Sequence, residues 1–394
     1  MEPIIPSHSQ LLLPLLETLQ AHGGAMSAKR ACAAVADRMG IPDSLRAAVA
    51  DIGEQKNVNL WSRRVRWVRQ TAVERSLIDS SKRNVWALTD KAAGALVECS
   101  PGVCIVVYET ASGQMLWADA HTAAGVLADK SVQLLLTSPP YPLLKAKKYG
   151  NLRGDDYLQW ITSFLEDAKR VIKDDGSLVI NLMDCQETAG IPAMSLYKER
   201  LLIHLVDRVG YHLCQNFFWN NPNKIPNGHW VTVEKKRVNP EVEHIFWLGK
   251  TPQPKVHVER VLTPYSDRMK SILAQGGEGH RSMRPSGHGH GGASFSRDLG
   301  GAIPGNLLSG TNAESNGVYH RFCRKHKLPA HPARFPKVIP EFFIDMLTDE
   351  GDLVWDPFGG SNRTGVVAET KKRTWVTNDR SLVYAVGSAG QFAA

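Results

Sequence analysis

From about residue 103 onward, segments that favour strands alternate with amphipathic helices, and this alternation constrains the fold more than any other feature. The apolar run from Val132 to Leu136 is typical of a strand buried on both faces of a sheet. Asp155 to Lys173 has apolar residues at helical spacing, with Asp155 as the predicted N-cap, and Asp174-Asp175-Gly176 is predicted to end that helix. Ser177 to Asn181 is the next predicted strand, so the pattern predicts a doubly wound α/β sheet.

The first 100 residues have the pattern of a small helical module. Leucines recur at helical spacing near the N-terminus, at Leu11, Leu12, Leu15, Leu16 and Leu19. Ser27 is the predicted N-cap of a second helix through Met39, and a third helix is predicted from about Leu60 to Arg75. A basic turn, Ser81-Lys82-Arg83, precedes a short predicted strand from Asn84 to Thr89. Helices followed by a basic β-turn outline a winged helix-turn-helix over residues 1–100.

Composition narrows the class of protein. The chain has 394 residues and a formal net charge of +8, an excess that suits a polyanionic partner such as nucleic acid. Its six cysteines include no Cys-x-x-Cys pair, which favours reduced thiols. No apolar run approaches the roughly 18 residues that span a bilayer, and the N-terminus lacks a signal-peptide pattern. We therefore expect a cytoplasmic protein without a membrane partner.

Residues 252–330 interrupt the α/β pattern with a glycine-rich, basic segment that is predicted to lack regular structure. The α/β pattern then resumes with predicted strands from Asp352 to Trp355 and from Thr374 to Asn378, separated by a helix from about Thr364. Two histidine-containing patterns, His320-x-x-Cys323-x-x-His326 and Gly287 to Gly292, lack the closed four-ligand set of a zinc site. We therefore expect no bound metal.

The first chemical motif is Thr137-Ser138-Pro139-Pro140-Tyr141, directly after the strand Val132 to Leu136. Pro139 and Pro140 fix φ and remove two backbone donors, which keeps the loop extended and leaves the Pro139 carbonyl unengaged. Ligands bind at the carboxyl ends of strands in open α/β sheets. A hydroxyl, a carbonyl and an aromatic ring at that place predict a receptor for a planar amine. A rigid loop with a surface tyrosine is the alternative.

The second motif is Asp356-Pro357-Phe358-Gly359-Gly360-Ser361, at the end of the strand Asp352 to Trp355. Its small residues allow a ligand to approach the backbone, and the turn leads into a helix N-terminus that favours electronegative groups. About 20 residues later, Asp379 follows the strand that ends at Asn378, a position and spacing that suit a pair of ribose hydroxyls. A plain tight turn is the alternative.

Together the two motifs resemble the beta class of amino DNA methyltransferases, over about Gln114 to Phe392. In that family an S-P-P-Y motif comes first, a target-recognition insertion follows, and a D-P-F-x-G-S motif comes last, which is the order here. Segments that agree with the family are His331 to Pro336, Arg284 to His288, Gly300 to Pro304, Trp219 to Asn223 and Ala118 to Ala120.

The resemblance implies a Rossmann-like methyltransferase fold that binds S-adenosylmethionine. By matching positions, the residues that would line the methyl donor are Asp356, Phe358, Gly360, Ser361 and Thr364, with Asp379 on the ribose, Phe335 near the methionine end and Asp119 on the adenine side. Arg363 departs from the family, which usually has threonine there. It would either point to solvent or DNA, or weaken binding of the donor.

The helical pattern of the first 100 residues and the resemblance together divide the chain into four predicted segments: a winged-helix DNA-binding domain at 1–100, the catalytic half of the methyltransferase domain at 101–251, a target-recognition region at 252–330 and the cofactor-binding half at 331–394.

The implied chemistry is transfer of a methyl group to an exocyclic amine of DNA. Ser138 and Pro139 would orient the amine, and Tyr141 would stack on a base that has been flipped out of the duplex. Serine in the motif is the family's usual residue for cytosine N4, so we predict a site-specific cytosine-N4 methyltransferase acting on double-stranded DNA, with a cognate restriction endonuclease as a candidate partner.

Three alternatives stay open at this point. The first is an adenine-N6 enzyme on the same scaffold. The second is a DNA-binding regulator with an inactive methyltransferase domain, supported only by Arg363. The third, a protein-glutamine methyltransferase, is disfavoured because that family puts the cofactor motif before the amine loop.

Basic residues in two regions are predicted to contact DNA. The segment Trp61 to Thr89 resembles the N-terminal winged helix of Mrr-type restriction endonucleases. Its predicted contacts are Arg63, Arg64, Arg66, Arg69, Lys82 and Arg83, and the insertion adds Arg284 and His288. Trp61 and Trp67 are predicted to be core residues. A solvated basic helix packed on the catalytic domain is the alternative.

Overall fold

The computed structural model describes residues 5–6, 8–74, 76–81, 83–90, 92, 99, 101–143, 152–224, 228–277, 296–312, 314 and 316–392. In those residues the strands are β1 (Ala25–Ser27), β2 (Val49–Ile52), β3 (Gln55–Asn59), β4 (Ile78–Asp79), β5 (Val85–Leu88), β6 (Ile105–Glu109), β7 (Gly113–Trp117), β8 (Val132–Thr137), β9 (Ile172–Leu182), β10 (His212–Asn220), β11 (Val242–Gly249), β12 (Leu307–Ser309), β13 (Leu353–Asp356) and β14 (Thr374–Asp379). The α-helices are α1 (His8–Ala21), α2 (Ala28–Arg38), α3 (Asp43–Arg46), α4 (Leu60–Glu74), α5 (Ala120–Val126), α6 (Gly154–Val171), α7 (Tyr197–Asp207), α8 (Asp267–Ala274), α9 (Val318–Lys325), α10 (Val338–Leu347), α11 (Arg363–Thr370) and α12 (Leu382–Ser388).

A nine-stranded sheet with the order β12-β10-β11-β9-β8-β13-β14-β7-β6 organises the molecule. The five strands from β9 to β7 in this order are parallel, whereas β11 runs antiparallel to β9, and β6 runs antiparallel to β7. This mostly parallel α/β sheet confirms the predicted fold class. The carboxyl ends of β8, β9, β13 and β14 therefore share one edge, and the antiparallel β11 brings its first residues to that same edge.

Helices cover both faces of the sheet because neighbouring residues of the central strands point in opposite directions. On β8, Leu135 packs with Ile161 and Phe164 of α6 on one face. Leu134 and Leu136 join the residues of α10 and α11 on the other face. The predicted apolar strand is therefore buried on both sides, with all six residues of β8 inaccessible to solvent. This burial holds the loop after β8 on a rigid support.

The N-terminal module packs α1, α2 and α4 around a three-stranded antiparallel sheet of order β1-β5-β4. The five predicted leucines of α1 are buried, and Ser27 caps α2 by accepting a hydrogen bond from the backbone NH of Arg30. The same core continues into the larger sheet through Ile105 and Trp117 and into α12 through Leu382. The module is thus fastened to the edge of the nine-stranded sheet.

The prediction around α6 was wrong at both ends. Arg153 is the N-cap, so Asp155 lies in the first turn, where its charge favours the helix dipole. The helix ends at Val171, and Asp174-Asp175-Gly176 lies inside β9 instead of in a turn. Pairing of Val132 with Ile172 extends the strand, and a register shift before Leu134 accommodates the extra residues. Pairing with β8 therefore overrides the local turn signal.

The inserted region was also predicted wrongly as structureless. In its described residues it contains α8, α9 and the strand β12, which extends the sheet by pairing in parallel with β10. An isolated bridge between Thr263 and Ala302 ties the two flanks of residues 278–295 together. Across the described ranges, none of the helices has the length and apolar character needed to cross a bilayer.

Candidate active site

A cavity of about 610 Å³ lies at the carboxyl edge of the parallel strands, and both sequence motifs contribute to its wall. The predicted residues that line it are Ser138, Pro139, Pro140, Tyr141, Phe335, Asp356, Phe358, Gly360, Ser361 and Asp379. Two loops separated by more than 200 residues in the chain therefore meet, because β8 and β13 are adjacent parallel strands. We call the part built by Ser138 and Tyr141 the amine side and the part built by Gly360 and Asp379 the donor side.

Hydroxyl groups on the amine side are joined in a buried network. The Ser138 Oγ lies 2.7 Å from the Tyr141 Oη. The Tyr141 hydroxyl in turn lies 3.0 Å from Oδ1 of Asn181 and 3.2 Å from Oε2 of Glu243, two oxygens that can only accept hydrogen bonds at neutral pH. Tyr141 therefore gives its one proton to Asn181 or Glu243 and accepts from Ser138, whose Oγ also lies 3.4 Å from Oδ1 of Asn181. This direction leaves the lone pairs of Ser138 available to accept an N–H group from the cavity.

Asn181 and Glu243 were not predicted from the sequence. The Asn181 Nδ2 donates to the backbone carbonyl of His244 at 3.1 Å, which fixes Oδ1 as the atom that faces Tyr141. Glu243 is buried, and its Oε1 pairs with Nζ of Lys224 at 3.3 Å. Asn181 lies near the end of β9, and Glu243 near the start of β11. The available signal was a polar residue inside an otherwise apolar strand.

The Tyr141 phenol stays protonated at neutral pH. Burial and then the negative charge of Glu243 raise its pKa well above the ordinary tyrosine value. Its hydroxyl is committed to the network, while its ring lines the cavity. Stacking of this ring on a base stays a prediction.

On the donor side, Asp356 joins the two motif strands. Its Oδ1 accepts from Thr137 Oγ1 at 2.8 Å and from the Phe358 backbone NH at 3.1 Å, and its Oδ2 accepts from Thr364 Oγ1 at 2.7 Å. Burial raises the pKa of this carboxyl to about 6. Thr364 is fully buried behind Asp356 and is not among the described residues that line the cavity. Asp356 thus shapes the loop more than it faces a ligand.

Asp379 and two glycines form an open cradle. Asp379 accepts from the backbone NH groups of Gly360 at 3.1 Å and Ser381 at 2.7 Å, and burial raises its pKa to about 6. Gly360 has φ of +51°, and a Cβ there would lie 3.1 Å from the ring of His331. A Cβ on Gly359 would lie 3.0 Å from Cβ of Thr377. Only glycine keeps this cradle open.

The donor side therefore fits S-adenosylmethionine, the group that the resemblance implies. A carboxylate acceptor suits ribose hydroxyls, the glycine cradle admits a ligand close to the backbone, and the rings of Phe335 and Phe358 offer apolar contact. Trp160, His331 and Tyr384 also line this side, with the rings of His331 and Tyr384 centred 4.6 Å apart. His331 begins the segment His331 to Pro336 that agrees with the family, but the sequence did not single it out as a site residue. Trp160 and Tyr384 come from segments that no local motif marks.

Asp119 lies outside the cavity as the described residues define it. It caps α5, and its two carboxylate oxygens accept from the backbone NH of Thr122 at 3.0 Å and from Oγ1 of Thr122 at 2.5 Å. Its contacts are those of a helix cap.

Arg363 turns away from the donor side. Its Nη2 lies 2.5 Å from Oε2 of Glu314, which also pairs with Nη2 of Arg334 at 3.0 Å. Hydrogen bonds from Arg363 and then Arg334 lower the pKa of Glu314 below its ordinary value. The charge of Arg363 is therefore paired at the start of α11. The alternative of a DNA-binding regulator with an inactive methyltransferase domain rested only on Arg363 and loses that support.

The predicted DNA contacts of the N-terminal module are partly gathered in a groove. Arg63 and Arg66 line a second cavity of about 710 Å³ between α4 and the β2–β3 hairpin, together with Trp67 and Gln70. The remaining contacts are dispersed or undescribed: Arg64 and Arg83 are exposed, Arg69 is half-buried, and Lys82, Arg284 and His288 lie outside the described residues.

The two tryptophans of α4 have different environments. Trp61 is 3% exposed, as predicted, but Trp67 is 58% exposed, so its prediction as a core residue was wrong. Trp67 shares a face with Arg63, Arg66 and Gln70, opposite the buried stripe of the helix.

Comparisons with known proteins identify the family of this chain. The family model described as DNA methylase matches residues 132–386, and the model of the Mrr N-terminal domain matches residues 8–98. The type II methyltransferase M.PvuII of Proteus hauseri is 43% identical over 72% of this chain and 85% of that protein. M.BglII of Bacillus subtilis is 25% identical over 63% of this chain and 59% of that protein. A solved structure named PvuII DNA methyltransferase (cytosine-N4-specific) superimposes with a TM-score of 0.59 at 36% identity, over 73% of this chain and 88% of that chain. The chain therefore belongs to the DNA methylase family, enzymes that take their methyl group from S-adenosylmethionine.

Proposed function

We propose that this protein transfers a methyl group from S-adenosylmethionine to the exocyclic N4 amine of a cytosine flipped out of duplex DNA. The observation that carries the proposal is the shared cavity, in which the Ser138 hydroxyl faces the same space as the Gly360–Asp379 cradle. A lone-pair acceptor beside a nucleoside cradle is the arrangement that amine methylation requires.

Ser138 and Pro139 orient the amine. The nitrogen lone pair of an aminopyrimidine is delocalised into the ring, so the free amine is a weak nucleophile. Hydrogen bonds from its two N–H groups to the Ser138 hydroxyl and the Pro139 carbonyl turn the lone pair out of conjugation. Positioning of this kind supplies several kcal/mol of the rate enhancement.

Asp379, Gly360, Phe335 and Phe358 hold the methyl donor in this proposal. When bound, S-adenosylmethionine supplies an electrophilic methyl group on a sulfonium. Asp379 accepts hydrogen bonds from hydroxyl groups while its other contacts hold the Gly360 turn in place. The aromatic rings exclude water from the transfer path.

The choice of cytosine rests on similarity and on Ser138. The relative with 36% identity and TM-score 0.59 is itself named a cytosine-N4-specific methyltransferase. Ser138 is also the residue that the family usually has in cytosine-N4 enzymes. An adenine-N6 enzyme has less support, because its members usually carry aspartate or asparagine at that position.

Analysis of methylated nucleosides tests the assignment. DNA is incubated with the purified protein and S-adenosylmethionine, digested to nucleosides and analysed by mass spectrometry, with Ser138→Ala as the control enzyme. We expect N4-methylcytosine with the wild type and a trace with the variant. N6-methyladenine as the only product would establish the adenine alternative.

The groove of the N-terminal module contributes a second DNA contact in this proposal. Arg63 and Arg66 neutralise phosphates, and the exposed Trp67 packs on the duplex beside them. Arg66→Ala should lower the slope of log K against log salt by about one phosphate contact. Arg208→Ala is the matched control, since Arg208 is exposed at the opposite edge of the sheet, after α7. An equal change in both variants would argue against the groove.

The cellular setting follows from the same similarity. M.PvuII and M.BglII are named type II methyltransferases, which supports a cognate restriction endonuclease as the partner here. All six cysteines lie among the described residues and none forms a disulfide, which supports a cytoplasmic location. Resistance of host DNA to one endonuclease after expression of this protein tests the pairing.

A further inference from the structure

The hydrogen-bond network of the amine side ends at the carboxylate of Glu243, and orienting the amine for methyl transfer does not require this charge. Glu243 touches the cavity and contacts the Tyr141 hydroxyl at 3.2 Å, yet orientation of the amine needs only Ser138 and Pro139. A buried carboxylate is costly unless it has a role or a full set of partners.

We infer that Glu243 is the final proton acceptor of the methyl transfer, reached from the target amine through the hydroxyl groups of Ser138 and Tyr141. The inference rests on the proposed function and adds the fate of the amine proton. The observation behind it is the continuous chain from Ser138 Oγ to Tyr141 Oη, 2.7 Å, and from Tyr141 Oη to Glu243 Oε2, 3.2 Å.

The step balances without any further reactant. The amine nitrogen uses its lone pair to form the new N–C bond, while the electron pair of the broken C–S bond stays with sulfur. The nitrogen becomes positively charged and gives one proton to the Ser138 oxygen. The Ser138 proton moves to the Tyr141 oxygen, and the Tyr141 proton moves to Glu243. Both hydroxyl groups are regenerated, and the carboxylate becomes a carboxylic acid.

The surroundings of Glu243 suit this role. Lys224 lies 3.3 Å from its other oxygen and stabilises the carboxylate between turnovers. Among the described residues, the other titratable groups that interact with Glu243 or Tyr141 include Tyr157, Cys185 and Tyr197. The raised pKa of Tyr141 makes its hydroxyl a relay that stays protonated, so the proton must continue to Glu243. With its side chain 9% exposed, Glu243 retains a path for returning the proton to water.

Glu243 acts through Tyr141 and is therefore a positioning residue whose replacement should lower the transfer rate and leave ligand binding unchanged. The test measures single-turnover methylation of duplex DNA at saturating S-adenosylmethionine. Glu243→Gln keeps the shape and a hydrogen-bonding oxygen but removes the charge that accepts the proton, so we expect a rate about 10²-fold lower.

Two further variants separate the relay from a loss of structure. Tyr141→Phe interrupts the chain at another link, and the double variant should be no slower than the slower single variant. Glu241→Gln is the matched control, because Glu241 is exposed two residues away. Thermal unfolding and calorimetric binding of S-adenosylmethionine and DNA should be unchanged in Glu243→Gln.

The possible failures are distinguishable. A Glu243→Gln rate within threefold of the wild type, or a slow rate accompanied by weaker binding of S-adenosylmethionine or DNA, would overturn the inference while the proposed function stands. Additive losses in the double variant would also overturn it. A wild-type enzyme that produces no methylated cytosine would overturn the proposed function itself.

Discussion

The amine side and the donor side of the cavity are built by different means. The donor side is mainly backbone: a left-handed glycine, a tight turn and carboxylates that hold NH groups. The amine side is mainly side chains, in which Ser138 and Tyr141 are oriented by Asn181 and Glu243 from two other strands. Backbone shape is encoded in adjacent residues, whereas a side-chain network depends on how strands pair.

This difference predicts separable defects. Damage to the amine side should slow the transfer and leave binding of the methyl donor intact. Damage to the donor side should weaken that binding and the stability of the domain.

The largest expected effect is on the amine side. Ser138→Ala or Tyr141→Ala should lower the single-turnover rate about 10²- to 10³-fold, because the amine loses its oriented acceptor. Calorimetric affinity for S-adenosylmethionine should not change. Ser131→Ala, at the opposite end of β8, is the control and should be silent. A loss of donor affinity in Ser138→Ala would show that the two sides are not separable.

The next effect concerns Asp356. Asp356→Ala leaves the Thr137 and Thr364 hydroxyls and the Phe358 NH without their acceptor, so the free energy of unfolding should fall by about 2–4 kcal/mol. Affinity for the methyl donor should fall with it. Asp356→Asn retains an acceptor oxygen and should lose less in denaturant unfolding and in calorimetry. Equal losses of unfolding free energy in Asp356→Ala and Asp356→Asn would contradict the role of Asp356 as a hydrogen-bond acceptor.

Gly360→Ala should have a smaller effect. The positive φ and the nearby His331 ring make a Cβ unfavourable by about 1–2 kcal/mol, which corresponds to roughly tenfold weaker binding of the methyl donor. Gly305→Ala is the control, because a Cβ there meets nothing within 4 Å. The rate of Gly360→Ala at saturating S-adenosylmethionine should equal that of the wild type. A lower rate would mean that the donor side also affects the transfer step.

The smallest effect is a pH dependence of donor affinity. Burial raises the pKa of Asp379 to about 6, so the carboxylate is ionised above that pH and protonated below it. Protonation removes an acceptor, and affinity should therefore fall as pH drops through about 6, by at most tenfold per unit. Calorimetry between pH 5 and 8 measures this. Asp379→Asn should bind S-adenosylmethionine more weakly, and its affinity should depend less on pH. If this variant keeps the pH dependence of the wild type, the titrating group is Asp356.

The same difference explains what the sequence predicts well. The family resemblance, the α/β sheet and the burial of the strand before Ser138 are confirmed, because periodicity and glycine-rich turns are local signals. The roles of the individual site residues stay predictions.

Failures arise where distant contacts decide. Asn181 and Glu243 join the site only through pairing of β9 with β11. Asp174 to Gly176 became part of a strand because β8 pairs beside it. Trp67 is exposed because three-dimensional packing selects which stripe of α4 is buried, and an isolated tryptophan favours the interior by default.

The triplet of Glu314, Arg334 and Arg363 has an evolutionary consequence. One acid of the inserted region, Glu314, pairs with two guanidinium groups, Arg334 from the segment that follows this region and Arg363 from the start of α11. Relatives that lose the acid at position 314 would leave two cations adjacent, so we expect them to carry a small neutral side chain at position 363. These three positions should be inherited together, so that the inserted region stays joined to the loop that builds the donor side.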